Sequence, residues 1–345
     1  MNYNVGMFGG SFDPFHIGHL HDIIRAAGMC QELYVVVCWC KGRESVEYKQ
    51  IERWIYYSTR HLTNIKIIDV EDKAVSKDEY NTNHFWQKGA DDIKQAIGKP
   101  IDVVFCGSDY KGTNRFEDLY SPQSKVVYFD RTEVPISSTQ IRFDPYKQWE
   151  YLPQICREYY AKRVLIVGSE STGKSTLVHN LAIAYNTSYV AEVGRETCEL
   201  VGSEERMNLD DLVINLLRQK DEEIKALINS NRLIFVDTDA LTTKFYGDLL
   251  LASKEESEKC SALADAINDL NRFDLVLFLA PTVEFIQDGT RNELINNERL
   301  KYSEQLKQIF IDKSIPIIEL DGSYNDRFNG AKLQIQDKLG ISTIW

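Results

Sequence analysis

Two glycine-rich segments, each lodged between an apolar run and a helical stretch, constrain this chain more than any other feature. Gly9-Gly10-Ser11-Phe12-Asp13-Pro14-Phe15-His16-Ile17-Gly18-His19 follows the run Asn4–Phe8. Gly168-Ser169-Glu170-Ser171-Thr172-Gly173-Lys174-Ser175-Thr176 follows the run Val164–Val167. Glycines at a strand end let backbone approach an anion without an intervening Cβ. A helix opening behind them aims its unsatisfied N–H groups and positive dipole end at the same anion. A strand of this kind needs a parallel sheet around it, so two such loops predict two α/β domains.

The remaining pattern agrees. Apolar runs at Asn4–Phe8, Leu33–Trp39, Ile65–Val70, Asp102–Cys106 and Val126–Phe129 alternate with helical stretches near Gly18–Met29, Glu47–Leu62 and His84–Ile97. A second series follows at Arg163–Val167, Ser188–Ala191, Leu233–Val236, Leu275–Leu279 and Ile315–Leu320, with a long amphipathic helix from Asp210 to Ile228. Strands alternating with helices of this length imply βαβ units. The expected fold is α/β, with two doubly wound parallel-sheet domains. Pro145 and Pro153 punctuate the stretch between them, and Trp149, Tyr151, Tyr159 and Tyr160 make it aromatic. We therefore expect a first domain at 1–145, an aromatic junction at 146–161 and a second domain at 162–345.

A length of 345 residues suits two such cores. The net charge of −12, from 52 acidic and 40 basic residues, argues against gripping nucleic acid. Seven cysteines are irregularly spaced with no CxxC pair, so neither a zinc site nor a disulfide framework is expected. Cys38 and Cys40 flank Trp39 at the end of a strand and read as packing residues on one face. With no signal peptide and no apolar run of membrane-spanning length, the expectation is a cytoplasmic protein without membrane partners. Nothing fixes an oligomeric state, and a homo-oligomer is compatible with the sequence.

In the first loop, His16 and His19 stand three apart at a helix start, where both rings can donate to the oxygens of a phosphate under attack. They have no third partner of metal-ligand spacing. Gly9, Gly10, Ser11 and Phe12 form the loop itself. Downstream, Pro135-Ile136-Ser137-Ser138-Thr139-Gln140-Ile141-Arg142 offers hydroxyls, a helix cap and a cation after the fifth strand. Ser137, Ser138 and Thr139 could cradle β- and γ-phosphates, and Arg142 could neutralise a leaving pyrophosphate. These residues resemble the nucleotidyltransferase superfamily, with its (H/T)xGH and SSTxxR motifs. His16-Ile17-Gly18-His19 also stands in class I aminoacyl-tRNA synthetases, but no KMSKS-like segment follows here. The fuller GSFDPxHxGH form with ISSTxxR is similar to nicotinamide-mononucleotide adenylyltransferases. That resemblance implies an adenosine-side role for Gly107 and Asp109, in Gly107-Ser108-Asp109-Tyr110. Trp86 is either a stacking surface for a pyridine ring or a core residue.

The second loop fits G-x-x-x-x-G-K-[ST] between a strand and a helix. Gly168, Ser171, Thr172, Gly173 and Thr176 shape the loop. Lys174 should reach the β- and γ-phosphates of ATP, and Ser175 should hold Mg²⁺. The apolar strand Leu233–Val236 runs into Asp237, the expected metal-side carboxylate. No NKxD segment supports a GTPase. A small-molecule kinase needs a base and a cationic lid; Asp239 and Glu192 are the base candidates, with Arg195 near the substrate. Asp288-Gly289-Thr290-Arg291 reads as the lid, with Arg291 reaching the transferred phosphate.

A nucleotidyltransferase domain of Rossmann-like form followed by a P-loop kinase domain resembles the NadR-type bifunctional proteins. The resemblance spans nearly the whole chain, including Trp149-Glu150-Tyr151-Leu152-Pro153 and Asp237-Thr238-Asp239. It implies a kinase that converts nicotinamide riboside (NR) to nicotinamide mononucleotide (NMN), and a transferase that joins NMN to AMP, giving NAD. Some members carry an N-terminal helix-turn-helix; this sequence starts on the first catalytic strand, so no DNA binding is expected. The residues alone leave open a different small metabolite at either site, or one domain acting as a nucleotide sensor for the other.

Overall fold

The computed structural model describes residues 2–74, 76, 79, 82–270, 273–286 and 297–344. It divides into two compact units, Met1–Cys156 and Arg157–Trp345.

The first unit runs β1 (Tyr3–Gly10), α1 (Ile17–Met29), β2 (Cys30–Trp39), α2 (Tyr48–Thr59), β3 (Ile65–Glu71), α3 (Asn83–Ile97), β4 (Val103–Gly107), α4 (Arg115–Tyr120), β5 (Lys125–Phe129) and α5 (Ser138–Phe143). Helix α6 (Gln154–Tyr160) crosses the division. The five strands are all parallel in the order β3-β2-β1-β4-β5. Central strands of a sheet covered on both faces read as unbroken apolar runs rather than as alternation. Val35–Val37 and Val103–Phe105 are accordingly fully buried. On one face Met7, Val36 and Val104 pack with Ala90 and Ile93 of α3.

The second unit runs β6 (Lys162–Val167), α7 (Lys174–Tyr185), β7 (Tyr189–Val190), α8 (Val193–Val201), α9 (Leu209–Ile228), β8 (Leu233–Asp237), α10 (Ala240–Leu250), α11 (Lys254–Leu270), β9 (Leu275–Leu279), α12 (Arg299–Asp312), β10 (Ile318–Leu320) and α13 (Tyr324–Leu339). Its strands are also parallel, in the order β10-β9-β6-β8-β7. The long helix α9 starts on a capping box in which Asn208 and Asp211 satisfy each other's backbone N–H.

In both units the first strand lies between neighbours reached in opposite directions, β2 and β4 for β1, β8 and β9 for β6. Ligands of open α/β sheets bind in the crevice at that switch point. Each glycine-rich loop leaves its unit at that position.

The expected strands all form, with two shorter than the sequence pattern. β7 and β10 each have one neighbour, so only Tyr189–Val190 and Ile318–Leu320 hold the ladder. All seven cysteines are free thiols. Among the described residues no group of His, Cys, Asp and Glu is arranged to hold a metal by itself, and no helix is long and apolar enough to cross a membrane.

Candidate active sites

In the first unit a cleft of about 830 Å³ opens over the ends of β1 and β4. Gly9, Gly10, Ser11 and Phe12 form its floor. His16 is the N-cap of α1, and its Nδ1 accepts the backbone N–H of His19 at 3.3 Å. That bond leaves the ring proton on Nε2. The His16 and His19 rings stack with centroids 3.6 Å apart, and Phe12 meets His19 edge-on at 5.0 Å. Both rings line the cleft. Yet His16 Nε2 and His19 Nδ1 are buried with no hydrogen-bond partner among the described residues. A buried polar atom left without a partner costs about 1–3 kcal/mol, so two adjacent ones point to a ligand.

Electrostatics keeps these rings neutral. Burial, assisted by the Arg131 charge, lowers His16 to about 3. Burial, then the proximity of His16 and Arg131, depresses His19 well below its ordinary value. At neutral pH they are hydrogen-bonding imidazoles rather than cations.

The Ser137–Arg142 segment is stitched onto the glycine-rich loop. Ser137 caps α5 in a capping box with Gln140, and Ser138 Oγ donates to the carbonyl of Pro14 at 3.1 Å. Arg142 donates to the carbonyl of Asp13, and to Thr139 Oγ1 at 3.1 Å. The Asp13 carboxylate in turn accepts from Ser45 N and Oγ and from Val46 N. Ser137, Ser138 and Arg142 face the cleft, but their hydrogen bonds serve first to hold two loops together. Thr139, expected at the phosphates, accepts through its Oγ1 from Arg142.

Gly107 and Asp109 lie on the opposite rim. Trp86 is both wall and packing residue, 5.8 Å from Tyr110 and 5.7 Å from Phe116, with the Arg115 guanidinium 4.9 Å over its ring. Arg131 was not apparent from the sequence. Its Nε donates to Asp109 Oδ1 at 3.1 Å and its backbone N to Ser108 Oγ at 3.1 Å. Both Nη groups have no hydrogen bond among the described residues and border the cleft. Its place just past β5, at the same sheet edge as the other motifs, was the available signal.

In the second unit the phosphate loop wraps the start of α7. Gly168 takes φ +155°, and a Cβ there would sit 2.7 Å from the carbonyl oxygen of Leu279. Gly173 takes φ +84° against the ring of Tyr324. Those positions require glycine. Lys174 is 8% exposed and folds its Nζ back onto the Ser169 carbonyl at 3.2 Å, which Thr172 Oγ1 also reaches at 2.8 Å. Thr176, expected at the nucleotide, is exposed on the first turn of α7.

Two arginines that the sequence reading missed brace this loop. Arg327 is 2% exposed and donates to the carbonyls of Thr172 and Ala280 and to Thr282 Oγ1. Arg299 donates to the carbonyls of Ser171 and Val283 at 2.8 and 2.6 Å.

Asp237 ends β8, with Ser175 of the phosphate loop beside its carboxylate. Its Oδ1 is buried and unpartnered among the described residues. Burial first, then the nearby Glu192 charge, raises its pKa. The two base candidates separate clearly. Asp239 is the N-cap of α10, its Oδ1 accepting from Thr242 N at 3.1 Å and Oγ1 at 3.0 Å. Glu192 instead lines a cavity of about 70 Å³ beside Lys174, with Arg195 Nη2 3.9 Å from its Oε2. Of the two, Glu192 lines the cavity and Asp239 does not. Glu170, Glu204 and Tyr246 complete the cavity wall, none of them singled out by motif. Arg291 and the lid segment at 288–291 lie outside the described residues.

Comparison with known proteins follows the same division. Residues 7–143 match the cytidylyltransferase-like family and residues 163–327 match an AAA-domain family. The chain is 25% identical to the trifunctional NAD biosynthesis/regulator protein NadR of Escherichia coli (strain K12), over 97% of this chain and 83% of that one. A NadR protein solved in complex with NR superposes with a TM-score of 0.81 at 24% identity, covering 98% of this chain and 97% of that one. A NadR protein solved with NAD and AMP-PNP gives 0.80 at 22% identity, with the same coverage.

Proposed function

We infer that this chain is a NadR-type bifunctional enzyme of NAD salvage, with an NMN adenylyltransferase in the first unit and an NR kinase in the second. The observation that carries this reading is the presence, in one chain, of two differently built phosphate sites. One pairs neutral histidines with unsatisfied ring nitrogens; the other pairs a buried lysine loop with an orphaned aspartate.

In the first cleft, a phosphate oxygen of NMN attacks the α-phosphorus of ATP, a new P–O bond forms and pyrophosphate leaves. The attacking oxygen is already ionised, so no base is required. His16 Nε2–H donates to the α-phosphate oxygen as charge builds there, and His19 stands beside it. Arg142 and Arg131 supply the positive field for pyrophosphate.

In the second unit, the 5′-hydroxyl of NR attacks the γ-phosphorus of ATP and ADP leaves. Glu192 takes the hydroxyl proton, and Lys174 swings from Ser169 to the β- and γ-phosphates. The orphaned Oδ1 of Asp237 and the Ser175 hydroxyl fit Mg²⁺ held on ATP, which would neutralise charge on the transferring phosphate.

The test is mass-resolved product analysis with Mg-ATP, offering NR and NMN in separate reactions. NAD from both, with ADP only from NR, is the expected result. NAD from NMN but no product from NR would remove the kinase assignment; NMN accumulating from NR without NAD would remove the transferase assignment.

A further inference from the structure

We propose that Glu170, Glu192 and Glu204 turn the acceptor cavity of the second unit into a charge selector, which takes a permanently cationic aromatic ring and rejects the same ring bearing a carboxylate, with Glu204 giving up a proton as the cation enters. The proposal rests on the reading of this unit as an NR kinase and specifies how its substrate is chosen.

The cavity wall is acidic in a way phosphoryl transfer does not require. Three carboxylates face it, against two cations that are already committed. Lys174 belongs to the phosphate loop, and Arg195 stands 3.9 Å from Glu192. Glu170 lies within the phosphate loop itself, where a carboxylate would oppose nucleotide binding unless something of opposite charge sat beside it. Tyr246, from α10, donates its hydroxyl to Glu170 Oε1 at 3.2 Å and fixes that side chain toward the cavity.

Glu204, on the short turn Glu204–Arg206, shares the cavity wall with Glu170, and its Oε2 is buried with no hydrogen-bond partner among the described residues. Neighbouring buried carboxyl groups without a counter-ion do not both ionise readily, because two adjacent negative charges are costly. Burial first, then the Glu170 charge, then Glu192, hold the Glu204 carboxyl well above the usual range; Lys174 opposes them. On the same turn, Arg206 donates to the carbonyl of Val201 at 3.3 Å. Glu204 is therefore held as a protonated acid in the cavity wall, and a cation placed beside it favours its carboxylate.

An independent feature shows that the cavity is shaped for a polar ligand. Asn215, 4% exposed, accepts from Thr197 Oγ1 through its Oδ1. Its amide NH₂ has no partner among the described residues and borders the same cavity. A carboxamide oxygen or a sugar hydroxyl can accept from it. NR combines such groups with a fixed pyridinium charge. Its carboxylate analogue, nicotinic acid riboside, has no net charge on the ring system and would bring a fourth carboxylate among three.

The proton balance is simple. The O–H bond of Glu204 breaks, the proton leaves to solvent, and the carboxylate pairs with the pyridinium. Because one proton is displaced, apparent affinity for NR rises with pH across the neutral range, by at most about tenfold per pH unit.

The experiment uses the full chain and its Glu204→Gln variant. Calorimetric titration with NR in two buffers of different ionisation enthalpy counts protons, and steady-state kinetics compares NR with nicotinic acid riboside. The wild type should release close to one proton per NR and prefer NR strongly. The variant should release none, raise KM for NR about tenfold with kcat little changed, and lose a similar factor of preference. Adenylyl transfer by the first unit should be unaffected. Proton release by the wild type stands as a test even if the variant folds poorly. NR binding without proton release, or a preference unchanged in Glu204→Gln, with phosphorylation of NR still observed, would overturn the selector while leaving the kinase intact. A wild type that makes NAD from NMN but neither binds nor phosphorylates NR would overturn the kinase reading and the selector with it.

Discussion

Replacing Arg327 with Met should loosen the phosphate loop from behind without touching any ligand. The guanidinium binds the carbonyls of Thr172 and Ala280 and the hydroxyl of Thr282, joining the loop to the segment after β9. Each hydrogen bond from a charged donor is worth about 1.5–3 kcal/mol, and each buried carbonyl left unpaired costs about 1–3 kcal/mol. Against this, Met fills similar volume and avoids the several kcal/mol needed to bury a charge. The balance is a net loss of about 3 kcal/mol, or roughly 6–12 °C for a unit of this size. Calorimetric scanning of the full chain should show the second unit melting earlier, and kinase KM for ATP should rise. NAD formation from NMN at 25 °C should not change. A variant with native melting and native kinase KM would refute the claim that this arginine holds the loop's geometry.

Other perturbations separate the two sites. His16→Ala or His19→Ala should lower adenylyl transfer by about 10²–10³-fold, as loss of a transition-state donor does, and leave ADP formation from NR intact. Lys174→Ala should do the reverse, measured with the same two substrates. Asp239→Asn should keep most kinase activity because Asn also caps helices, whereas Glu192→Gln should lower kcat by 10²-fold or more, on the order of a lost general base. His16, neutral in the fold and lowered to about 3, gains a proton more readily when unfolded, near the ordinary value of 6.5. The unfolded chain binds more protons between those values, so the contribution is whole above pH 6.5 and falls as pH drops toward 3. Urea unfolding of the wild type between pH 6.5 and 5 should lose about 2 kcal/mol more than that of His16→Phe.

What the sequence revealed, and what it hid, follows contact range. The ten strands were legible because buried parallel strands are continuous apolar runs, and the loops were legible because each lies within one strand–turn–helix unit. Their bracing was not. Arg327 reaches Thr172 across 155 positions and Arg299 reaches Ser171 across 128, with no local pattern to mark either pairing. Asp239 was ambiguous for a local reason: an acid just past a strand suits a catalytic base and a helix N-cap equally, and Thr242 three residues on supplies the partners of a cap. Ser137–Thr139 were ambiguous in the same way, since hydroxyls that can cradle phosphate also cap helices and tie loops together. Glu204 sits on a surface turn, and only the fold brings it to Glu170.

The two sites face one electrostatic problem from opposite sides. In the first cleft both substrates are anions; Arg131 and Arg142 stand in its lining, and burial keeps its two histidines neutral. In the second unit one substrate is an anion and the other a cation. In the roles proposed above, Lys174 and the loop amides serve ATP, while the acids of the adjoining cavity serve the acceptor. A cation accepted there leaves, once phosphorylated, with new negative charge beside three carboxylates. The same acids that draw the substrate in therefore weaken retention of the product, and Glu204 can recover its proton as the product departs. On this argument Glu204→Gln should raise substrate KM more than it raises the inhibition constant for NMN, a difference that initial-rate product inhibition measures directly. Equal changes in both constants would mean that the cavity binds the ring alone and does not sense the added phosphate.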